Sequence, residues 1–319
     1  MTPTQLRAFC AVVQHGSVKG AAADLGVTEA AVSIHVAHLR KELQDRLFTP
    51  TRAGLTFTAG GLRLASRASE LLGLQDLTVR EVTQAGHGRR LLRLTASSIF
   101  AEHAAPGLIE LFAARADDLD VELSVRSTSQ FESLLQTRTV DVAIRPQPER
   151  MVDSLRYKPF LKYQLVVVTG PGHPLAGATP RPAQLRDQTW LLGPSAAEQH
   201  GVLASLLRRL DVPEQNQQIF QSHAAALEEA KRNKGVAVAA AFAVAGDLAN
   251  GALLRVGAAA GLQADGLWCA ITLPPDSMAP AAAELVRFIT TPRAIQAMLR
   301  GAGVNISHFR PSVHVTLWN

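Results

Sequence analysis

The residues of this sequence that could carry out chemistry do not form the pattern of a known catalytic or metal site. His35 and His38 are three positions apart, a spacing that can place two imidazoles on one face of a helix, but no nearby acidic residue or cysteine completes a set of metal ligands. Ser195 follows Gly193-Pro194 rather than standing in G-x-S-x-G, and neither a Walker A loop nor G-x-G-x-x-G occurs. We therefore predict no enzymatic activity, no metal and no cofactor.

A second set of polar side chains has the chemical groups that contact DNA. It consists of hydroxyls, one carboxylate and two imidazoles, at Thr28, Glu29, Ser33, His35 and His38. Such groups can hydrogen-bond to base edges or to the sugar–phosphate backbone. Their spacing keeps them off the apolar stripe that Val32, Val36 and Leu39 form at i, i+4 and i+7. We therefore expect them to be exposed on one helix.

Two short helices joined by a tight turn must position these groups. Ser17 is predicted to cap the first helix and Gly26 to end it, while Thr28 caps the second. Alanines crowd both helices, which allows them to cross closely, as in a helix-turn-helix. The alternative is a helical hairpin inside a larger core.

Flanking segments extend this pair of helices into a small domain. An upstream helix over residues 4–13 has apolar side chains at helical spacing and would complete a three-helix core. Downstream, the apolar pair Leu47-Phe48 precedes residues 49–58, which contain proline, glycine and alternating apolar residues. This pattern predicts a β-hairpin wing that carries Arg52.

Residues 3–61 resemble the N-terminal domain of LysR-type transcriptional regulators in the order and spacing of many positions. The matching positions are Leu6, Phe9, Gly16, Ser17, Ala21, Ala22, Leu25, Thr28, Ala31, Val32, Ser33, Leu39, Leu43, Leu47, Phe48, Thr58 and Gly61. The sequence departs from the family at Glu29-Ala30, where Gln-Pro is usual, and at His35, where Gln is common. The resemblance implies a winged helix-turn-helix domain over residues 1–58 whose second helix enters the DNA major groove. The implied DNA contacts come from Ser17, Thr28, Glu29, Ser33, His35, His38 and, in the wing, Arg52.

A long helical pattern follows over residues 59–88. Apolar residues recur along it, and about 27 residues would extend roughly 40 Å. An apolar seam of this length needs a partner, and a second copy of the same helix is the simplest one. The resemblance implies that this linker helix joins protomers into a homodimer or homotetramer. The alternative is packing against the chain's own C-terminal domain.

Strands and helices alternate from residue 89 to residue 302, which predicts a parallel sheet with helices on both faces. Within this region we predict helices over 100–115 and 196–210, and a helix break near Thr290 and Thr291 caused by Pro292.

The order of these elements is similar to that of periplasmic solute-binding proteins and of LysR-type effector domains. The predicted fold class is thus α/β, with an N-terminal all-α winged helix-turn-helix and a two-lobed effector domain like that of periplasmic binding proteins. Lobe I would span 89–162 and 268–302, and lobe II would span 163–267. A tail over 303–319 alternates like a strand.

Effector contacts are predicted at the carboxyl ends of strands, where ligands of α/β domains lie and helix N-termini favour anions. The first lobe contributes Ser97, Ser98, Thr128, Ser129, Gln130 and Arg145, and the second contributes Ser195, Ser222 and His223. Each serine has helix capping as its alternative role. Arg145 could hold a carboxylate or phosphate in a bidentate manner, or lie in a surface salt bridge. We expect a small, anionic effector.

Composition and charge fit a soluble DNA-binding protein. Of 319 residues, 47% are hydrophobic and 18% are charged, the proportions of a folded globular protein. Most of the net charge of +5 lies in residues 1–90, where eleven Lys and Arg outnumber seven Asp and Glu, which favours attraction to phosphates. No apolar run is long enough for a membrane helix and no secretion signal is visible, so we expect a cytoplasmic protein that does not bind membranes. Cys10 and Cys269 are expected to be reduced thiols.

We predict a sequence-specific transcriptional regulator of the LysR type, controlled by a small-molecule effector. Its expected partners are double-stranded DNA, the effector, further copies of itself and RNA polymerase. The main alternative is a two-lobed small-molecule-binding protein without a regulatory role on DNA, and a third hypothesis is an enzyme on an α/β scaffold. Selective, salt-sensitive DNA binding would separate the first hypothesis from the other two.

Overall fold

A computed structural model describes residues 1–51, 54–197, 201–257 and 264–300, which form two compact units. The first unit holds Met1–Gly88 together with Ser133–Thr139. The second holds Arg89–Glu132 and the described residues from Val140 onward.

The first unit contains three short helices, a two-stranded hairpin and a long helix. These are α1 (Pro3–His15), α2 (Val18–Leu25), α3 (Glu29–Leu43), β1 (Phe48–Thr51), β2 (Gly54–Phe57) and α4 (Ala59–His87). The two strands are antiparallel, with Phe48 opposite Phe57. Arg52, which the sequence predicts in this wing, lies outside the described residues.

Local sequence signals set the helix ends around the turn between α2 and α3, as predicted. The Ser17 hydroxyl accepts the N–H of Gly20 at 3.0 Å, and the Thr28 hydroxyl accepts the N–H of Ala31 at 3.2 Å. Gly26 follows α2 with a φ of 64°, a left-handed conformation that glycine adopts without strain. These caps fix where α3 begins.

The apolar faces of α1, α2, α3 and the hairpin share one core. Val32, Val36 and Leu39 are buried in it, as predicted from their spacing. Leu25 is 36% exposed, because it is the last residue of α2, next to the left-handed Gly26.

The long helix α4 carries uncovered apolar side chains within the first unit. Its 29 residues extend roughly 44 Å at 1.5 Å per residue. Its large hydrophobic residues that are more than 40% exposed are Leu62, Leu71, Leu74, Val79 and Val82. A set of this size on one helix is typical of an interaction surface.

From residue 90 onward the described chain alternates between strands and helices. The elements are β3 (Arg90–Ala96), α5 (Ser98–His103), α6 (Ala105–Ala113), β4 (Leu119–Val125), α7 (Phe131–Gln136), β5 (Val142–Pro146), β6 (Arg156–Thr169), α8 (Pro182–Arg186), β7 (Trp190–Leu192), α9 (Val202–Arg209), β8 (Gln217–Ile219), α10 (His223–Lys231), β9 (Val236–Ala240), α11 (Ala245–Ala249), β10 (Leu254–Arg255), β11 (Ala264–Thr272), α12 (Pro280–Phe288) and α13 (Pro292–Arg300). Among the described residues of the whole chain, no helix is long and apolar enough to span a bilayer.

One mixed sheet joins two parallel groups of strands in the second unit. Its described strands run in the order β4-β3-β5-β11-β6-β9-β7-β8, and β10 pairs with β6. β3 is parallel to β4 and β5, and β7 is parallel to β8 and β9; we call these groups the first and the second lobe. Between them the long strands β6 and β11 pair antiparallel, with Lys162 opposite Leu267. These are the positions at which the sequence predicts that the chain leaves one lobe and returns.

Two helices differ from their predicted extents. The helix predicted over 100–115 is divided into α5 and α6, because Pro106 lacks an N–H and lies in the first turn of α6. The helix predicted over 196–210 begins only at Val202, where extended Gly201 precedes it, since glycine disfavours a helix interior. The predicted break at Pro292 is present between α12 and α13.

Both cysteines are free thiols in this fold. Cys10 is half-buried, whereas Cys269 on β11 is fully buried. Burial raises the pKa of the Cys269 thiol to about 11, so it is protonated at neutral pH.

Candidate functional site

The described residues that the sequence predicts to contact DNA lie at the start of α2 and along α3, with different exposures. Thr28, Glu29, Ser33 and His38 are exposed, while Ser17 and His35 are half-buried. The hydroxyls of Ser17 and Thr28 also serve as helix caps. His38 Nδ1 lies 3.5 Å from the side-chain nitrogen of Gln5. Four polar side chains are thus open to an external partner.

Ile34 is an exposed residue of α3 that the sequence prediction did not include. Its side chain is 55% exposed, although it is one of the larger apolar residues of the helix. It stands two positions from both Val32 and Val36, which are buried. An apolar residue out of phase with the buried stripe is the sequence signal that could have identified it.

Several of the predicted effector residues meet where the two lobes face each other. His223 Nε2 lies 3.1 Å from Ser98 Oγ and 3.4 Å from Ser195 Oγ. Ser98 begins α5 in the first lobe, whereas His223 begins α10 in the second. We call Ser98, Glu102, His103, Ser195 and His223 the histidine cluster.

Glu102 on α5, which the sequence prediction did not include, occupies the N-terminus of α10. Its carboxylate accepts the N–H of His223 at 2.9 Å and the N–H of Ala224 at 3.2 Å. The Ser222 hydroxyl accepts the N–H of Ala225 at 3.1 Å, so Ser222 has the capping role foreseen as its alternative. The first three N–H groups of α10 are therefore satisfied within the chain, and a protein carboxylate stands where the sequence predicts a ligand anion.

Burial sets the protonation of the histidine cluster. It lowers the pKa of His223 to about 3, with the nearby His103 as a second cause, so the His223 imidazole is neutral at neutral pH. Burial also lowers the pKa of His103. It raises the pKa of Glu102, an effect that the N–H groups of His223 and Ala224 partly oppose. Among the described residues no three His, Cys, Asp or Glu are grouped closely enough to hold a metal ion.

Ser97 adjoins the histidine cluster in a small cavity. The cavity measures about 40 Å³, and its lining includes Ser97, Ser195, Tyr163, Leu165, Leu203 and Trp268. Ser97 is 5% exposed, and its hydroxyl caps no helix and has no hydrogen-bond partner among the described residues. No charged side chain is among the described residues that line the cavity. The cavity is thus mainly apolar, and the Ser97 hydroxyl is a hydrogen-bonding group that has no partner among the described residues.

The remaining predicted effector residues form a second group. Arg145 donates to the carbonyl of Thr128 at 3.1 Å and to that of Pro146 at 3.3 Å, and it forms no salt bridge within the described chain. Thr128 is buried, while Ser129 and Gln130 are exposed. Within the described structure no hydrogen bond joins this group to His223.

Two family models match the chain in succession. The model described as bacterial regulatory helix-turn-helix protein, lysR family, matches residues 3–62, and the LysR substrate binding domain model matches residues 85–292. An uncharacterized HTH-type transcriptional regulator of Mycobacterium tuberculosis is 59% identical over 322 residues, which covers 100% of both chains. The HTH-type transcriptional regulator CfxR of Cupriavidus necator is 31% identical over 60% of this chain and 61% of its own.

Solved structures share the fold of this chain. ArgP from Mycobacterium tuberculosis has a TM-score of 0.60 at 17% identity, covering 90% of this chain and 97% of its own. A full-length OxyR variant from Pseudomonas aeruginosa has a TM-score of 0.55 at 20% identity, covering 95% and 96%. The resemblance and the fold class predicted from the sequence are confirmed. The chain belongs to the LysR family of transcriptional regulators, with an N-terminal helix-turn-helix domain followed by an effector-binding domain.

Proposed function

We propose that this regulator binds DNA sequence-specifically through α3 and the wing, and that a small molecule held between the lobes of the second unit controls it. The observation that carries the effector site is Ser97, a residue that lines the cavity and whose buried hydroxyl has no hydrogen-bond partner in the described structure. A buried hydroxyl without a partner costs about 1–3 kcal/mol, which a ligand that hydrogen-bonds to it can recover.

The histidine cluster offers a way for the ligand to act on the lobes. Ser195 both lines the cavity and lies 3.4 Å from His223, while Ser98 and Glu102 reach His223 from the first lobe. A ligand that binds Ser195 therefore changes a set of contacts made by both lobes. It regulates DNA binding only if it binds the two lobe arrangements with different affinity.

The cavity lining favours an uncharged effector with an apolar body and one hydrogen-bonding group. A volume of about 40 Å³ holds roughly three water molecules, so a larger effector requires the lobes to separate. The anionic effector predicted from the sequence is the alternative. It would have to displace Glu102 from α10 or bind to Arg145, which has no carboxylate partner in the described chain.

The proposed DNA contacts are Thr28, Glu29, Ser33, His38 and Arg52, with Ser17 and His35 less accessible. We propose further that α4 pairs with α4 of a second copy in a homodimer or homotetramer, because five of its large apolar residues are exposed. Three statements stay predictions from the sequence. They are the domain boundaries after residues 58, 88 and 302, a contact with RNA polymerase, and a cytoplasmic location.

Binding of the full-length protein to genomic fragments at several salt concentrations tests this function. Metabolites separated into neutral and anionic fractions are added in parallel. We expect saturable, sequence-selective binding that weakens steeply with salt, and a shift caused by the neutral fraction. A shift in DNA binding caused only by the anionic fraction would overturn the uncharged effector and favour the anionic one. Binding no stronger than to random DNA would overturn the proposed function.

A further inference from the structure

Ile34 lies on the side of α3 that faces away from the protein core. Each residue advances an α-helix by about 100°, so Ile34 is roughly half a turn from both Val32 and Val36. Those two side chains are 0% and 3% exposed, whereas Ile34 is 55% exposed. Its side chain is therefore presented outward from α3.

The neighbours of Ile34 on this face leave room for a surface to approach the helix closely. Ala30 and Ala37, four residues before and three residues after it, lie on the same face and are exposed methyl groups. Lys41, seven residues after Ile34, continues this face with an exposed positive charge and forms no salt bridge within the described chain. An apolar group between small side chains and a cation suits a partner that carries both an apolar group and negative charge.

Double-stranded DNA is a partner with both features. Thymine carries a C5 methyl group in the major groove, beside the O4 acceptor, and the phosphates flank the groove. The exposed Ser33 and His38 lie next to and four residues after Ile34, so hydrogen-bonding groups accompany the apolar one. This match distinguishes DNA from a second copy of the chain, which would cover an apolar side chain without needing the neighbouring lysine.

We propose that Ile34 contacts the C5 methyl group of a thymine and thereby specifies an A·T pair at one position in each half of the DNA site. The proposal rests on the proposed function, since it requires that α3 enters the major groove. Removal of the methyl group from that thymine should weaken binding about three- to fivefold, the effect of withdrawing one buried methyl group.

Deoxyuridine substitution tests this contact, because uracil pairs like thymine and lacks only the methyl group. Preferred sites are first selected from a random duplex library with the full-length protein. Each thymine of a selected site is then replaced singly by deoxyuridine, and Kd is measured for the wild type, Ile34→Ala, Ile34→Val and Leu43→Ala. Leu43 is the matched control, since it is 42% exposed at the other end of α3.

We expect one thymine per half-site at which the wild type loses about three- to fivefold in affinity on substitution. Ile34→Ala should bind the two duplexes equally, Ile34→Val should keep part of the preference, and Leu43→Ala should behave as the wild type. Circular dichroism and thermal unfolding verify that the variants fold, which their exposed positions favour.

Four results would overturn the proposal. One is selective DNA binding that no single deoxyuridine weakens, and another is a methyl preference that Ile34→Ala retains. Either would exclude the Ile34–thymine contact and leave the proposed function intact. A change of oligomeric state in Ile34→Ala at unchanged methyl preference would assign the residue to an interface between copies. Failure to select any site would overturn the proposed function and this inference with it.

Discussion

Replacing Glu102 with alanine removes the acceptor of two backbone N–H groups at the start of α10. These N–H groups, of His223 and Ala224, lie 2.9 and 3.2 Å from the carboxylate. Hydrogen bonds to a charged group contribute about 1.5–3 kcal/mol, and a negative charge at a helix N-terminus adds to this. Burial of the carboxylate, visible in its raised pKa, opposes them. We expect a net loss of about 1–2 kcal/mol in the free energy of unfolding, or roughly 2–8 °C in Tm.

Thermal unfolding of the full-length protein in acetate and in chloride of equal ionic strength measures this loss. Acetate has the carboxylate that Glu102→Ala lacks, so it should enter the vacated position and recover part of the lost stability. It should do less for Glu102→Gln, whose side chain still fills the space, and nothing for the wild type. Glu110→Ala is the matched control, because Glu110 on α6 is exposed and forms no salt bridge within the described chain.

The interpretation of Glu102 as an internal anion would be refuted by either of two results. One is a Tm for Glu102→Ala as high as that of Glu110→Ala. The other is acetate stabilisation of equal size in the wild type and both alanine variants, which would show an effect of the salt on the whole protein. A recovery confined to Glu102→Ala would also show that an anionic ligand can bind there only after Glu102 leaves.

Three further predictions concern the same structure. Because the pKa of His223 is lowered from 6.5 to about 3, the unfolded chain takes up a proton at this histidine before the folded chain does as pH falls. The free energy of unfolding therefore decreases between pH 6.5 and pH 3. His223→Gln should flatten this decrease in denaturant titrations, by at most about 1.4 kcal/mol per pH unit. Gly193→Ala should cost about 1–3 kcal/mol, because a Cβ there would overlap the His223 ring, while Gly246→Ala, with open space around it, should not destabilise. Val82→Glu on α4 should lower the oligomeric state seen by sedimentation, and Met151→Glu, also exposed, should leave it unchanged; equal behaviour of the two would refute pairing through α4.

The helix-turn-helix could be predicted in detail because its signals are local. The hydroxyls of Ser17 and Thr28 cap their helices by accepting N–H groups only three residues further along the chain. The buried stripe of α3 repeats within three helical turns. The regular alternation of strands and helices predicts a passage between the lobes near Lys162 and Leu267, and the structure pairs these two residues in neighbouring strands. The exact lobe boundaries stay a prediction.

The site could be predicted only in part, because its contacts depend on residues distant in sequence. Position 102 shows no signal that its carboxylate reaches His223, 121 residues further along the chain. Ser97 precedes a helix as a capping serine does, and only the fold shows that its hydroxyl is left unpaired in the described structure. Ile34 lies outside the predicted DNA contacts, because its apolar side chain carries no hydrogen-bonding group.

The second lobe is topologically an insertion into the first. Lys162 and Leu267 stand opposite each other in neighbouring strands, about 4.8 Å apart in the hydrogen-bonding direction, so the segment between them leaves and re-enters at one place. A short turn could close the first lobe in its absence, and a segment from a relative could take its place as a block. Exchange of this segment would therefore alter the second lobe's side of the proposed effector site while the helix-turn-helix stays the same, so that ligand preference and DNA preference could change separately.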